Sequence, residues 1–136
     1  MEDTKHLMER FVQFINIARE DLADELIARH AMFHVPGRHE PLSGPAGYLE
    51  IIAMMRSCFP DIQCTLEETI SEAGDVAIRF TMRGTHHGTF FGVPPPGKKI
   101  AVQAMNFYRW SNGQFVEERG QSDLLGLLQQ IGTVPM

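Results

Sequence analysis

The chain has 136 residues, 43% of them hydrophobic and 21% charged, with a formal net charge of −5; that length and balance predict one domain over residues 1–136 around one core and argue against disorder or a fibrous repeat. No basic cluster exceeds Lys98-Lys99, so a phosphate-tracking surface is not expected and nucleic acid is not an expected partner. No apolar run approaches the roughly 18–20 residues of a membrane-spanning helix, and Met1-Glu2-Asp3-Thr4 lacks the regions of a secretory signal, so a cytoplasmic protein without a membrane partner is expected, with Cys58 and Cys64 as reduced, packed thiols.

From Thr4 onward Leu7, Met8, Phe11, Val12, Ile15 and Ala18 follow the three-and-four spacing of one helical face, with Glu9, Arg10 and Gln13 opposite. Asp21 is placed to cap a short second helix through Leu22, Leu26 and Ile27. Ala31 to Val35 has β character and ends at Pro36-Gly37, which opens a turn-rich loop to Gly47. Ser43 and Pro45 begin a helix with Tyr48, Leu49, Ile52, Met55 and Phe59 inward, closed by Phe59-Pro60-Asp61.

The second half changes period and predicts four strands, 62–71, 76–85, 100–110 and 114–121. Glu72-Ala73-Gly74-Asp75 and Ser111-Asn112-Gly113 are hairpin turns, the latter with the Asn-Gly pair that favours positive φ. Gly88 to Lys99, with Pro94-Pro95-Pro96-Gly97, must be an irregular crossing loop. Leu124 to Ile131 forms a short closing helix. Helices followed by consecutive antiparallel strands imply an α+β domain whose strongly curved sheet wraps the N-terminal helices.

Several familiar site chemistries are absent from this pattern. The glycines of Gly84-Thr85-His86-His87-Gly88 and Gly92 stand four apart between two strands, unlike a nucleotide loop between a strand and a helix. The histidines lack ligand spacing, so metal is not expected. No serine lies in a nucleophile elbow. His34 is notable because alternation sets it with Met32 opposite Ala31, Phe33 and Val35; if that face turns inward, an imidazole enters an apolar interior.

The last strand is more informative. Arg119, Gln121 and Asp123 alternate with Gly120 and Ser122, so three polar groups share one face just before an apolar helix. Three readings stand side by side: a solvated outer face, a helix cap supplied by Ser122 or Asp123, and a pocket lining in which Asp123 is an acid/base with its carboxyl raised by apolar walls.

Gly84-Thr85-His86 followed by Gly88, Phe90, Gly92-Val93-Pro94-Pro95 and Gly97-Lys98 resembles the signature loop of the SnoaL-like polyketide cyclases. The resemblance extends in the same order through His34-Val35-Pro36, Gly44-Pro45, Gly47, Phe59-Pro60-Asp61, Phe115-Val116-Glu117-Glu118 and the run from Asp123 to Gly132, so it covers nearly the whole chain. It implies a cone-shaped α+β barrel like nuclear transport factor 2. It further implies an intramolecular aldol ring closure by one aspartate, with neither metal nor organic cofactor. The matching position is Asp123, with His34, His86, Asn106, Arg119 and Gln121 as candidate pocket residues. Arg119 stands where relatives usually carry an aromatic residue, and Pro96 where they carry a hydroxyl.

The implied ligand is a small, apolar or aromatic, carbonyl-bearing molecule, and the implied assembly a homodimer or homotetramer built on the outer sheet face. An isomerase or dehydratase using the same aspartate, or a non-catalytic pocket of the same fold, are the alternatives; the fold alone does not choose among them.

Overall fold

The computed structural model describes residues 4–17, 19–35, 39–89 and 97–132. Ala18, Pro36, Gly37 and the Phe90 to Pro96 part of the signature loop therefore lie outside the described residues. The element order is α1 (Thr4–Ile17), α2 (Glu20–Leu26), β1 (Ile27–His34), β2 (Leu42–Ser43), α3 (Gly44–Cys58), β3 (Gln63–Glu72), β4 (Asp75–Thr85), β5 (Lys99–Ser111), β6 (Gln114–Ser122) and α4 (Leu124–Gln130). The expected α+β arrangement is present, with one six-stranded sheet in the order β2-β1-β6-β5-β4-β3. Every neighbouring pair is antiparallel except β1 and β6, which run parallel.

Local chemistry explains most boundaries. Both hairpins turn on a left-handed pair, Ala73 (φ 49°) with Gly74 (φ 92°) and Asn112 (φ 54°) with Gly113 (φ 78°), the geometry whose twist matches two right-twisted strands. Pro45 stands in the first turn of α3, where its missing N–H costs nothing. Two starts differ from expectation. Asp21 lies inside the first turn of α2, bonded to Arg19 (Arg19 Nε to Oδ1, 3.2 Å), and Arg19 holds the cap position. Strand β1 begins at Ile27 rather than Ala31, because the helix stops as soon as Ile27 adopts extended dihedrals.

The helices fill the concave side. Leu7, Met8, Phe11 and Phe14 of α1 pack with Tyr48 and Ile52 of α3, with Phe33 of β1, and with Val76, Ile78, Tyr108, Trp110 and Phe115 of the sheet. Phe11 is the hub of this cluster, with its ring 5.0 Å from Phe115, 5.2 Å from Tyr48 and 5.6 Å from Tyr108, all edge-on, the arrangement aromatic quadrupoles favour. A second cluster gathers Cys58, Phe59, Ile62, Ile100, Val102, Leu127 and Ile131 at the other end of the cone. Asn16 joins α1 to the sheet by bonding both the carbonyl (2.9 Å) and the amide (2.7 Å) of Cys64.

Between the clusters Leu66, Phe80 and Met82 of the sheet and Met55 of α3 are only partly buried among the described residues, as are Asn106 and Ser122.

Candidate functional site

Strand β6 delivers the one buried carboxylate among the described residues, Glu118, 3% exposed. Simple alternation from the buried Phe115 would turn Glu117, Arg119 and Gln121 inward. The β5–β6 ladder instead pairs Trp110 with Phe115 but Arg109 with Glu117, so Val116 is an extra residue. Such a bulge exchanges the two faces of every later residue on the strand. From that point Glu118, Gly120 and Ser122 face the cone, opposite Tyr108, Asn106 and Ala104.

Glu118 sits in a cage of donors. The Tyr48 hydroxyl, carried by α3, donates to Oε1 at 3.1 Å, and Asn106 Nδ2 reaches the same oxygen at 3.4 Å. Asn106 Nδ2 also donates to the Tyr108 hydroxyl at 3.1 Å. Burial pushes the Glu118 carboxyl up to about 7, while hydrogen bonding from Tyr108, Tyr48 and Asn106 pulls the other way. Burial and the neighbouring Glu118 charge drive both phenols well above their ordinary value. The result is one carboxyl that gains and loses a proton near neutrality beside two hydroxyls that stay protonated, the division of labour needed for proton removal and oxyanion stabilisation in one apolar place.

The residues expected from the sequence are dispersed. Asn106 alone is in this constellation. Arg119 pairs with Phe107 and Gln121 with Met105 across the ladder, on the convex face, and both are exposed; the bulge at Val116 is the reason. His34 pairs with Arg119 on the same outer face, while Ala31 and Phe33 on the opposite face are fully buried, so no imidazole enters the interior there. Asp123 is exposed and holds the N-cap of α4, accepting from Gly126 N at 2.9 Å through Oδ1. Of the roles open to Asp123 on sequence, the helix cap is the one seen.

His86 is fully buried, with neither ring nitrogen hydrogen-bonded, and its ring lies 5.5 Å from Phe59 in the far cluster. It follows Val76, which lies in the Glu118 row, by ten residues, about 33 Å of strand path. The structure therefore does not bring His86 to Asn106. The signature motif around it fastens strand to helix: Asp61 accepts from Thr85 N (2.7 Å) and Thr85 Oγ1 (2.8 Å), and Gly88 N donates to the Cys58 carbonyl at 3.1 Å. A Cβ on Gly88 would stand 2.1 Å from the Ser57 carbonyl oxygen, so only glycine allows this approach.

Among the described residues no group of three or more His, Cys, Asp or Glu side chains could hold a metal ion, and no helix is long and apolar enough to cross a membrane.

The family model for SnoaL-like polyketide cyclases matches residues 5–131. The chain belongs to that family. Among SnoaL-like proteins it is 27% identical to nogalonic acid methyl ester cyclase of Streptomyces nogalater, covering 89% of this chain and 91% of that one. It is likewise 27% identical to aklanonic acid methyl ester cyclase DnrD of Streptomyces peucetius, covering 93% and 88%. The SnoaL-like architecture is shared with the crystal structure of IdmH from Streptomyces antibioticus at a TM-score of 0.87, with 28% identity over 96% of this chain and 99% of that one. TsrD from Streptomyces laurentii has the same fold at a TM-score of 0.85, with 24% identity over 98% of this chain and 100% of that one.

Proposed function

We propose that this chain is a cofactor-free cyclase that closes a ring by intramolecular aldol condensation, with Glu118 as its acid/base. The observation that carries the reading is the buried Glu118 carboxyl, raised to about 7 and met by the Tyr48 hydroxyl and the Asn106 amide on the inner side of the sheet. The cyclase activity of the relatives named above supports the reaction class, and the methyl esters in their names support a carbonyl-bearing ligand.

In this reaction ionised Glu118 takes a proton from a carbon next to a carbonyl, and the electron pair of that C–H bond becomes an enolate. The enolate carbon attacks a second carbonyl carbon of the same molecule, forming the C–C bond, and the resulting alkoxide takes the proton back from Glu118. Nothing is oxidised, and the proton returns to the substrate. Tyr48, Tyr108 and Asn106 are the donors available to developing negative charge. Asp123 in this account is a cap and not the acid/base.

Assay with nogalonic acid methyl ester and aklanonic acid methyl ester tests the proposal. Glu118→Gln keeps the shape of the side chain but cannot exchange the proton, and turnover is expected to fall by roughly 10²- to 10⁴-fold. Undiminished turnover in a folded Gln variant would return the role to Asp123 or to a site without a carboxylate.

A further inference from the structure

Asn106 and Gly120 oppose one another across β5 and β6, facing the cone. The Asn106 side chain lies flat over the Gly120 backbone: a Cβ at position 120 would stand 3.0 Å from Oδ1 and 3.3 Å from both Cγ and Nδ2. Contacts that tight are tolerated only if the neighbour gives way, and here the neighbour is the amide that serves two acceptors. One Nδ2 hydrogen goes to the Tyr108 hydroxyl (3.1 Å) and the other toward Glu118 Oε1 (3.4 Å). Because Tyr108 accepts from Asn106, its own O–H remains free to be donated, and Tyr48 already donates to Glu118. The Tyr48 hydroxyl and the Asn106 amide thus converge on one carboxylate oxygen, Glu118 Oε1.

We infer that Gly120 and Asn106 form a lock that positions the Glu118 carboxyl and the Tyr108 hydroxyl for proton transfer, with the absence of a side chain at 120 as the device that orients the amide. The lock rests on Glu118 being the acid/base for its catalytic meaning, but its geometry is independent of that. The groups packed on Glu118 are Tyr48 from α3 and Tyr108 and Asn106 from β5, with Cys64 of β3 beyond Tyr48 and the uncharged Phe33 as its register partner on β1. No charged side chain is among them, so the amide and the phenols set the proton affinity of this carboxyl against its burial.

The test follows the Glu118 carboxyl directly, by its ¹³C resonance across a pH titration of the substrate-free protein, with Glu118→Gln identifying the signal. Gly120→Ala pushes the amide aside, and Asn106→Leu removes it while filling its space. Each is expected to raise the midpoint by roughly one pH unit, since a hydrogen bond to the charged form is lost. The double variant should add little to either single one. Unchanged midpoints in both folded single variants would overturn the lock. In the same variants the acid limb of the kcat/KM profile should move with the resonance. A resonance that moves while the rate profile stays put would leave the lock standing and remove Glu118 as the acid/base.

Discussion

Tyr108 opposes Glu118 one residue further along β6 than the Asn112-Gly113 turn alone would set it, because Val116 is inserted between the Phe115 and Glu117 pairings. Deleting Val116 would close the bulge without moving that register: Arg109 would still meet Glu117 and Tyr108 would still meet Glu118, so Glu118 would stay in the cone. The expected outcome is a variant that keeps its near-UV circular dichroism and a cooperative melt, lowered only by the lost packing of the Val116 side chain. Loss of both signals would mean that the extra residue sets more than the pairing of β5 with β6.

Glu118 also makes stability depend on pH. Its carboxyl holds a proton up to about 7 in the folded chain, against an ordinary value of 4.5. The folded state therefore binds more protons between those values, and stability falls as pH rises through that window, by roughly 3 kcal/mol at most. Below about 4.5 the contribution is fully present, and above about 7 it is lost. Glu118→Gln should flatten this slope and melt higher than the parent at pH 8. Urea midpoints at pH 5, 6, 7 and 8 for both proteins would show it, and identical slopes would contradict it.

Asp123 and Gly126 form a second pair with a testable division of labour. A Cβ on Gly126 would stand 2.1 Å from Asp123 Oδ2, so this glycine makes room for the capping carboxylate. Asparagine caps about as well as aspartate, so Asp123→Asn should leave both melting temperature and turnover nearly unchanged, whereas Asp123→Ala should cost roughly 0.5–2 kcal/mol. Gly126→Ala should lose the cap despite gaining helix propensity. A large fall in turnover for Asp123→Asn would reinstate it as a catalytic group.

On the convex face Ile70 is 71% exposed, Met105 64% and Phe107 37%, and they border a depression of about 490 Å³ rimmed by Arg79, Arg119 and Glu68. An apolar centre with both signs of charge at its edge suits a second copy of the same surface better than a partner of one charge. We propose that the protein self-associates there. Sedimentation at tens of micromolar should show a dimer or tetramer, and Phe107→Glu should shift it to monomer; a monomeric parent would refute the idea.

Helices, hairpins and the helical closing segment were legible because each rests on local signals: the spacing of Leu7, Phe11 and Val12, Pro45 in the first turn of α3, and Asn112-Gly113 at the tightest turn. Asn106 was expected only through the family resemblance, and it lies in the inward row with Val102, Ala104, Tyr108 and Trp110. Glu118 was not. A single inserted residue decides which side of β6 faces the cone, and both sides carry polar groups, so alternation grouped Arg119, Gln121 and Asp123 on one face without choosing between the outer face and a pocket lining; the structure has Arg119 and Gln121 outside and Asp123 as the cap. Pairing the strand back from the turn against Tyr108 was the signal available, and it needed the bulge to be known. The parallel contact of β1 with β6 leaves no local trace at all, which is why His34 could be placed on a strand but not on a side of it.

That parallel contact also bears on how the chain acquires its shape. Phe33 finds its ladder partner, Glu118, more than 80 residues downstream, so the strand emerging early from a ribosome waits for nearly the last one before its hydrogen bonds are satisfied. Loop closure over such a span is slow, and until it happens β1 offers an open edge beside the exposed Phe11 and Phe33 rings. A chain interrupted before β6 would retain α1 to α3 and the β3–β5 meander, yet carry a sticky, unfinished barrel, so nascent or truncated forms are the ones expected to aggregate or engage chaperones.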